Sequence, residues 1–101
     1  VVEPNRAIVE RFRAACPGVP VIGFPKGAGA KLVDYAQGVR PDALGIDETI
    51  DPVWADRVLP AGLPVQGNLD PLLLVAGGDA LDAAVDRIRA AFANRPHIFN
   101  L

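Results

Sequence analysis

The sequence predicts an α/β fold in which short parallel strands alternate with helices. Three observations support this fold class: four short apolar segments bounded by turn residues, helical periodicity between them, and Asp-Pro pairs that open two of the helices. Strands that alternate with helices are typical of parallel sheets joined by helical crossovers. We therefore expect the order α-β-α-β-α-β-α-α-β within one unit that covers residues 1–101.

Apolar runs flanked by proline, glycine or polar residues predict the strands. They cover residues 20–24, 43–47, 65–68 and 97–101. Apolar residues at helical spacing predict the helices. These cover residues 4–15, 30–37, 51–59, 70–77 and 79–93. We expect Gly38 to end the second helix, Asp79 to cap the last one, and Cys16 to be a small buried side chain.

Two aspartates, Asp51 and Asp70, each stand directly before a proline. Aspartate is a favoured N-cap, and proline suits the first helical position because its missing N–H would have no partner there. Helix capping therefore accounts for both aspartates without a catalytic role.

The bulk composition excludes several classes of protein. The net charge of −2 lacks the basic excess of a nucleic-acid-binding surface. No apolar run approaches the ~20 residues of a membrane span, and the N-terminus does not read as a signal peptide. The single cysteine excludes an internal disulfide framework and leaves no CxxC metal motif, which favours a reducing, cytoplasmic location.

The number of strands predicts half of a larger architecture. A complete (β/α)₈ barrel needs about 250 residues, and four βα units in 101 residues are half of one. Such a half has two open edges and an uncovered inner face, so we expect it to associate with a partner.

Three polar residues at strand ends are candidates for a pocket. Lys26 lies in a glycine-rich loop before a helix and either contacts an anion or is solvated. Asp47 ends the second strand and either joins Glu48 in acid–base chemistry or anchors the strand end. Asn68 either binds a ligand or ties its strand end to a neighbouring loop. His97 begins its strand, at the end of a barrel associated with stability, so we do not expect it to be catalytic.

Four segments carry a resemblance to a known family. In order and spacing, GFPKGAG, ALGID, PVQGNLDP and PHIFNL resemble the C-terminal half of bacterial uroporphyrinogen decarboxylases, over essentially the whole chain. One departure is Glu48, where many relatives carry tryptophan. The resemblance implies strands five to eight of a homodimeric (β/α)₈ barrel that converts uroporphyrinogen III to coproporphyrinogen III by removing CO₂ from four acetate side chains, with no metal or organic cofactor.

The resemblance also implies that the main catalytic groups lie outside this chain. The family's arginine-rich loop, substrate-facing aspartate, tyrosine and serine belong to the N-terminal half, and its histidine follows in a Gly-His-Gly just beyond the position of Leu101. We therefore expect a cut or incomplete chain that is inactive alone, with no catalytic residue of its own. Lys26, Asp47 and Asn68 remain as candidates for the substrate pocket.

Two alternatives remain open. Zinc-dependent methyltransferases of similar fold place His-x-Cys at the end of the strand that corresponds to PVIGF, where this chain has Gly23, Phe24 and Pro25. Stoichiometric zinc would support that alternative. The other is a non-catalytic half-barrel that buries its open edges by self-association, against which a strictly monomeric species would count.

Overall fold

The computed structural model describes all 101 residues and has the predicted order of helices and strands. The four strands are parallel and lie side by side in chain order. They are β1 (Ile22–Gly23), β2 (Ala43–Gly45), β3 (Val65–Gln66) and β4 (His97–Ile98). The helices are α1 (Val2–Ala15), α2 (Leu32–Val39), α3 (Pro52–Val58), α4 (Pro71–Ala76) and α5 (Gly78–Ala91), and a 3₁₀ turn (Gly29–Lys31) precedes α2. The α/β class with parallel strands is confirmed.

The two faces of the sheet differ in exposure. Leu44 pairs with Val65 across β2 and β3, and both side chains are fully buried in the apolar core formed with the helices. On the other face Ile22, Phe24 and Ile98 are 46%, 56% and 48% exposed. Successive residues of a strand point to opposite faces of a sheet. The helices therefore cover the face that carries Leu44 and Val65, and the opposite face is open. This arrangement is consistent with a fragment of a barrel.

A buried arginine holds together the ends at which β3 and β4 begin. Arg95 precedes β4, and its guanidinium donates to Asp56 Oδ1 and to the backbone oxygens of Asp56, Pro60 and Leu63. Its side chain is only 4% exposed. This single side chain therefore joins the end of α5 to the connection between α3 and β3.

Two expectations about helix ends were wrong. Gly38 lies inside α2, where an added Cβ would clash with Val2, so this glycine permits the close approach of α1. The helix ends instead at Arg40, in a left-handed conformation with φ of 54°. Asp79 lies in the first turn of α5, and the N-cap is Gly77.

Cys16 is also placed differently from the expectation. It is exposed at the C-terminal end of α1, where its backbone N–H donates to the oxygen of Phe12. Val9 is the one buried residue of α1. The cysteine is exposed because the rest of the chain covers only the narrow stripe of α1 that contains Val9.

No helix has the combination of length and apolar character needed to cross a bilayer.

Candidate functional site

The candidate residues lie at the carboxyl ends of three neighbouring strands. Lys26 follows β1, Asp47 follows β2 and Asn68 follows β3. These strands are adjacent and parallel, so their carboxyl ends form one rim. Hydrogen bonds join the successive loops of this rim. We call the hydrogen-bonded set of Gly27, Asp47 and Asn68 the rim relay.

Asp47 is the central acceptor of the rim relay. It is buried, and its Oδ2 accepts from the backbone N–H of Gly27 at 2.7 Å. Its Oδ1 accepts from the backbone N–H of Thr49 at 2.9 Å and from the Thr49 hydroxyl. Both carboxylate oxygens therefore have partners within the chain. The structure places Asp47 as an anchor of the strand end, beside an exposed Glu48.

The environment of Asp47 favours its charged form. Burial acts to raise the pKa of this carboxyl, but the hydrogen bonds from Thr49 and Gly27 and the charge of Lys26 hold the pKa below its usual value. Asp47 is therefore anionic near neutral pH. A carboxylate with this pKa and these partners is an electrostatic and structural element, and it is poorly suited to donate a proton.

Asn68 connects the third strand to the loop that follows the second. Its side-chain Nδ2 donates to the backbone oxygens of Asp47 at 3.0 Å and Ile50 at 2.8 Å. The residue is only 5% exposed, and its Oδ1 is buried without a hydrogen-bond partner. Since Nδ2 faces two acceptors, the amide orientation is fixed. An unpaired buried acceptor costs about 1–3 kcal/mol of folding free energy. Asn68 therefore makes its two donated hydrogen bonds despite the cost of leaving Oδ1 unpaired.

Gly67 allows Asn68 to reach this position. The peptide between Gly67 and Asn68 is cis, and Gly67 has φ of +134°. A Cβ on Gly67 would lie 2.5 Å from the backbone oxygen of Ile46. Only glycine tolerates both this positive φ and this approach to the neighbouring strand.

Lys26 is exposed at the edge of the rim. Its loop is held from both sides, because the backbone N–H of Lys26 donates to Phe24 and that of the next residue, Gly27, donates to Asp47. A cleft of about 540 Å³ borders this loop and is also lined by Lys31 and Tyr35. Lys26 is therefore a cation on an anchored loop beside open space.

The other polar residues near the rim have local roles. Asp51 and Asp70 cap α3 and α4, as predicted, by accepting from the N–H groups of Val53 and Leu72. His97 packs against Phe92 and Phe99, and its Nε2 is hydrogen-bonded to the backbone oxygen of Gly67. No group of three or more His, Cys, Asp or Glu side chains is arranged to hold a metal ion.

A second cleft lies beside Asn68, between the loop after β2 and the helices α4 and α5. Its volume is about 270 Å³, and Glu48, Asp70 and Arg87 are its charged lining residues. Arg87 is paired with Asp51 at 2.9 Å, with both side chains more than half exposed.

Sequence reasoning missed Thr49, which supplies two of the donors to Asp47. The signal was available, since an aspartate in a turn commonly accepts the backbone N–H of the residue two positions later, which here is Thr49.

The geometry defines an α/β protein whose parallel strands present anchored polar loops at their carboxyl ends, the position of the site in proteins built from βα units. The family model described as uroporphyrinogen decarboxylase (URO-D) matches residues 1–101. This chain therefore belongs to the uroporphyrinogen decarboxylase family, and the resemblance found in its motifs is confirmed.

Individual relatives agree with the family assignment. The chain is similar to the uroporphyrinogen decarboxylase of Sphingopyxis alaskensis, with 67% identity across 100% of this chain and 30% of that protein. The uroporphyrinogen decarboxylases of Rhizorhabdus wittichii and Erythrobacter litoralis are 61% and 60% identical across 100% of this chain and 29% and 30% of their own lengths. The chain thus spans about 30% of the length of the curated relatives that it matches.

Proposed function

We propose that this chain contributes strands five to eight of the (β/α)₈ barrel of a uroporphyrinogen decarboxylase. The complete enzyme would remove the four acetate carboxyl groups of uroporphyrinogen III as CO₂ and yield coproporphyrinogen III, without a metal or organic cofactor. The observation that carries this proposal is the family match over all 101 residues. The open sheet face with Ile22, Phe24 and Ile98 supports it, because the other half of a barrel would cover these apolar side chains.

Within that enzyme, we assign Lys26, Asp47 and Asn68 to the rim of the substrate pocket. A substrate with eight carboxylates needs cations and oriented N–H groups for recognition. Lys26 is the exposed cation on the rim. The side chains of Asp47 and Asn68 form hydrogen bonds with the backbone of neighbouring loops and hold those loops in place. The proposed contribution of this chain is substrate positioning, and proton transfer is assigned to residues outside it.

The proposal implies partners and a location. The chain acts together with the other half of the barrel, in a cytoplasmic homodimer. The isolated 101-residue chain is inactive towards uroporphyrinogen, and activity requires the N-terminal half.

The test is a segment replacement. In the Sphingopyxis alaskensis relative, the matching segment is replaced by these 101 residues, which gives a chimera that we call the grafted enzyme. We expect it to decarboxylate uroporphyrinogen III at a rate within about tenfold of the unmodified relative. A tenfold difference in rate corresponds to a change of about 1.4 kcal/mol in the activation free energy. A grafted enzyme that folds, by circular dichroism and cooperative unfolding, but has no activity would overturn the proposal. Activity of the isolated chain would refute its dependence on the other half.

The exposed sheet face also favours a second candidate, a non-catalytic half-barrel that covers Ile22, Phe24 and Ile98 with a second copy. Sedimentation of the isolated chain distinguishes the two. A stable homodimer that does not dissociate when the N-terminal half is added would favour self-association, and a monomer that binds the N-terminal half would exclude it.

A further inference from the structure

The rim relay links Asn68 to Lys26 through one intermediate residue. Asn68 Nδ2 holds the backbone oxygens of Asp47 and Ile50, which fixes the turn formed by residues 47–50. The carboxylate of Asp47, at the start of that turn, holds the backbone N–H of Gly27 at 2.7 Å. Gly27 is the residue directly after Lys26.

The two ends of this relay differ in accessibility. The Asn68 side chain is buried, and its unpaired Oδ1 is shielded from solvent, so a ligand has no direct access to it. Lys26 is exposed and unpaired, because no salt bridge of the chain includes it. The amide therefore acts on the protein, whereas the ammonium group is available to an anion.

We infer that Asn68 is a positioning residue that sets the loop carrying Lys26, through Asp47, for contact with a carboxylate of the substrate. This inference rests on the proposed function and adds to it a specific dependence between two of the rim residues. Loss of the Asn68 donors releases the turn at 47–50, and the carboxylate of Asp47 then no longer presents a fixed acceptor to Gly27. Lys26 loses its fixed position as a result.

A double-mutant cycle in the grafted enzyme tests this dependence. We expect Lys26→Ala to reduce kcat/KM for uroporphyrinogen III about tenfold, mainly through KM, as for the loss of one charge-assisted contact. Asn68→Ala should give a similar reduction. The double variant should fall no more than about threefold below either single variant, because both changes remove the same contact. If kcat/KM of the double variant is instead reduced about a hundredfold, which is the product of the two single effects, the inference is overturned.

A destabilising variant far from the rim serves as the matched control. Arg95→Lys weakens the buried hydrogen bonds at the opposite ends of the strands. Its effect on kcat/KM should multiply with that of Lys26→Ala. If Arg95→Lys shows the same non-additivity as Asn68→Ala, the coupling reflects general destabilisation and the inference fails.

Hydrogen exchange supplies a readout that does not depend on activity. In Asn68→Ala and in the isosteric Asn68→Asp, which lacks the amide donors, exchange in the peptide spanning residues 24–31 should accelerate at least about tenfold. In Arg95→Lys it should remain unchanged. Unchanged exchange in the Asn68 variants, or failure of both to fold, would overturn the positioning role. An inactive but folded parent graft would refute the proposed function instead, while the exchange experiment still decides the relay.

Discussion

The guanidinium Nε of Arg95 lies 2.7 Å from Oδ1 of Asp56, and this pair joins two connections that are 39 residues apart in the chain. The arginine is almost fully buried, whereas the aspartate side chain is 35% exposed. Three further bonds to backbone oxygens satisfy the remaining guanidinium donors that face the protein. The pair lies at the ends where the strands begin, opposite the rim relay. In (β/α)₈ barrels in general, that end is associated with stability.

Replacement of Arg95 should therefore be strongly destabilising. Arg95→Ala leaves three backbone oxygens and the Asp56 carboxylate without their donor, and we expect a loss of about 3 kcal/mol, because each buried acceptor left unpaired costs about 1–3 kcal/mol. Urea unfolding of the grafted enzyme measures this loss. Asp56→Ala should cost less, because the buried guanidinium keeps its three backbone acceptors in that variant. Equal losses from the two variants would contradict this account.

The cap of α4 gives a smaller and separable effect. Asp70 accepts from the N–H of Leu72 at 2.9 Å. Asp70→Ala removes this bond and should reduce stability by about 1 kcal/mol, as measured by the urea midpoint. Asp70→Asn keeps a capping oxygen and should recover most of the loss. If alanine and asparagine have the same effect, the cap is not the source of the stability.

The rim relay predicts an acid limit to stability. Burial raises the pKa of Asp47, but the hydrogen bonds from Thr49 and Gly27 and the charge of Lys26 together lower it below its ordinary value of 3.8. A carboxyl with a lowered pKa in the folded state stabilises the protein above the unfolded value, and this stabilisation is lost as the pH falls through the folded value. The stabilisation contributed by Asp47 should therefore be constant from pH 7 to about pH 5 and should be lost below about pH 4.

Asp47→Asn is the matched test of that acid limit. This variant should be less stable at neutral pH and should lose less stability between pH 5 and pH 3 than the unchanged protein. Asp42 also has a lowered pKa, through its bonds with Val21 and Arg13, and it retains part of the acid dependence in the variant. An acid limb identical with and without Asp47 would show that its carboxylate does not contribute.

The close approach at Gly67 can be separated from its backbone conformation. Gly67→Ala introduces both a left-handed penalty of about 1–2 kcal/mol and a Cβ that would lie 2.5 Å from the Ile46 oxygen. Gly62 also has a positive φ, but an added Cβ there meets nothing within 4 Å. Gly67→Ala should therefore destabilise the protein by clearly more than Gly62→Ala in urea unfolding. Similar losses would mean that the neighbouring strand moves aside.

Local sequence signals predicted the parts of the fold that depend on local chemistry. The Asp-Pro pairs gave the starts of α3 and α4 because capping involves residues two positions apart. The apolar runs located all four strands, although the ladders are shorter than the runs that contain them. The structure also links the segments that hold Lys26, Asp47 and Asn68, while their role in a substrate pocket stays a prediction.

Features that depend on distant residues were not predictable in this way. Gly38 has the sequence character of a helix end, yet it serves the contact with Val2, which lies 36 positions earlier and belongs to another helix. Arg95 looks like a solvated charge in the sequence, and only the packing of α3 and α5 brings acceptors around it. The dependence between Asn68 and Gly27 likewise requires the strand order, which brings the loops together.

The exposed thiol of Cys16 has a practical consequence. It is the only cysteine of the chain, and it lies at the end of α1 that precedes the first strand, away from the rim relay. A maleimide dye would therefore attach at one defined point. Fluorescence from that point could follow the docking of a complementary half-barrel in real time, with the loops around Lys26 left chemically untouched.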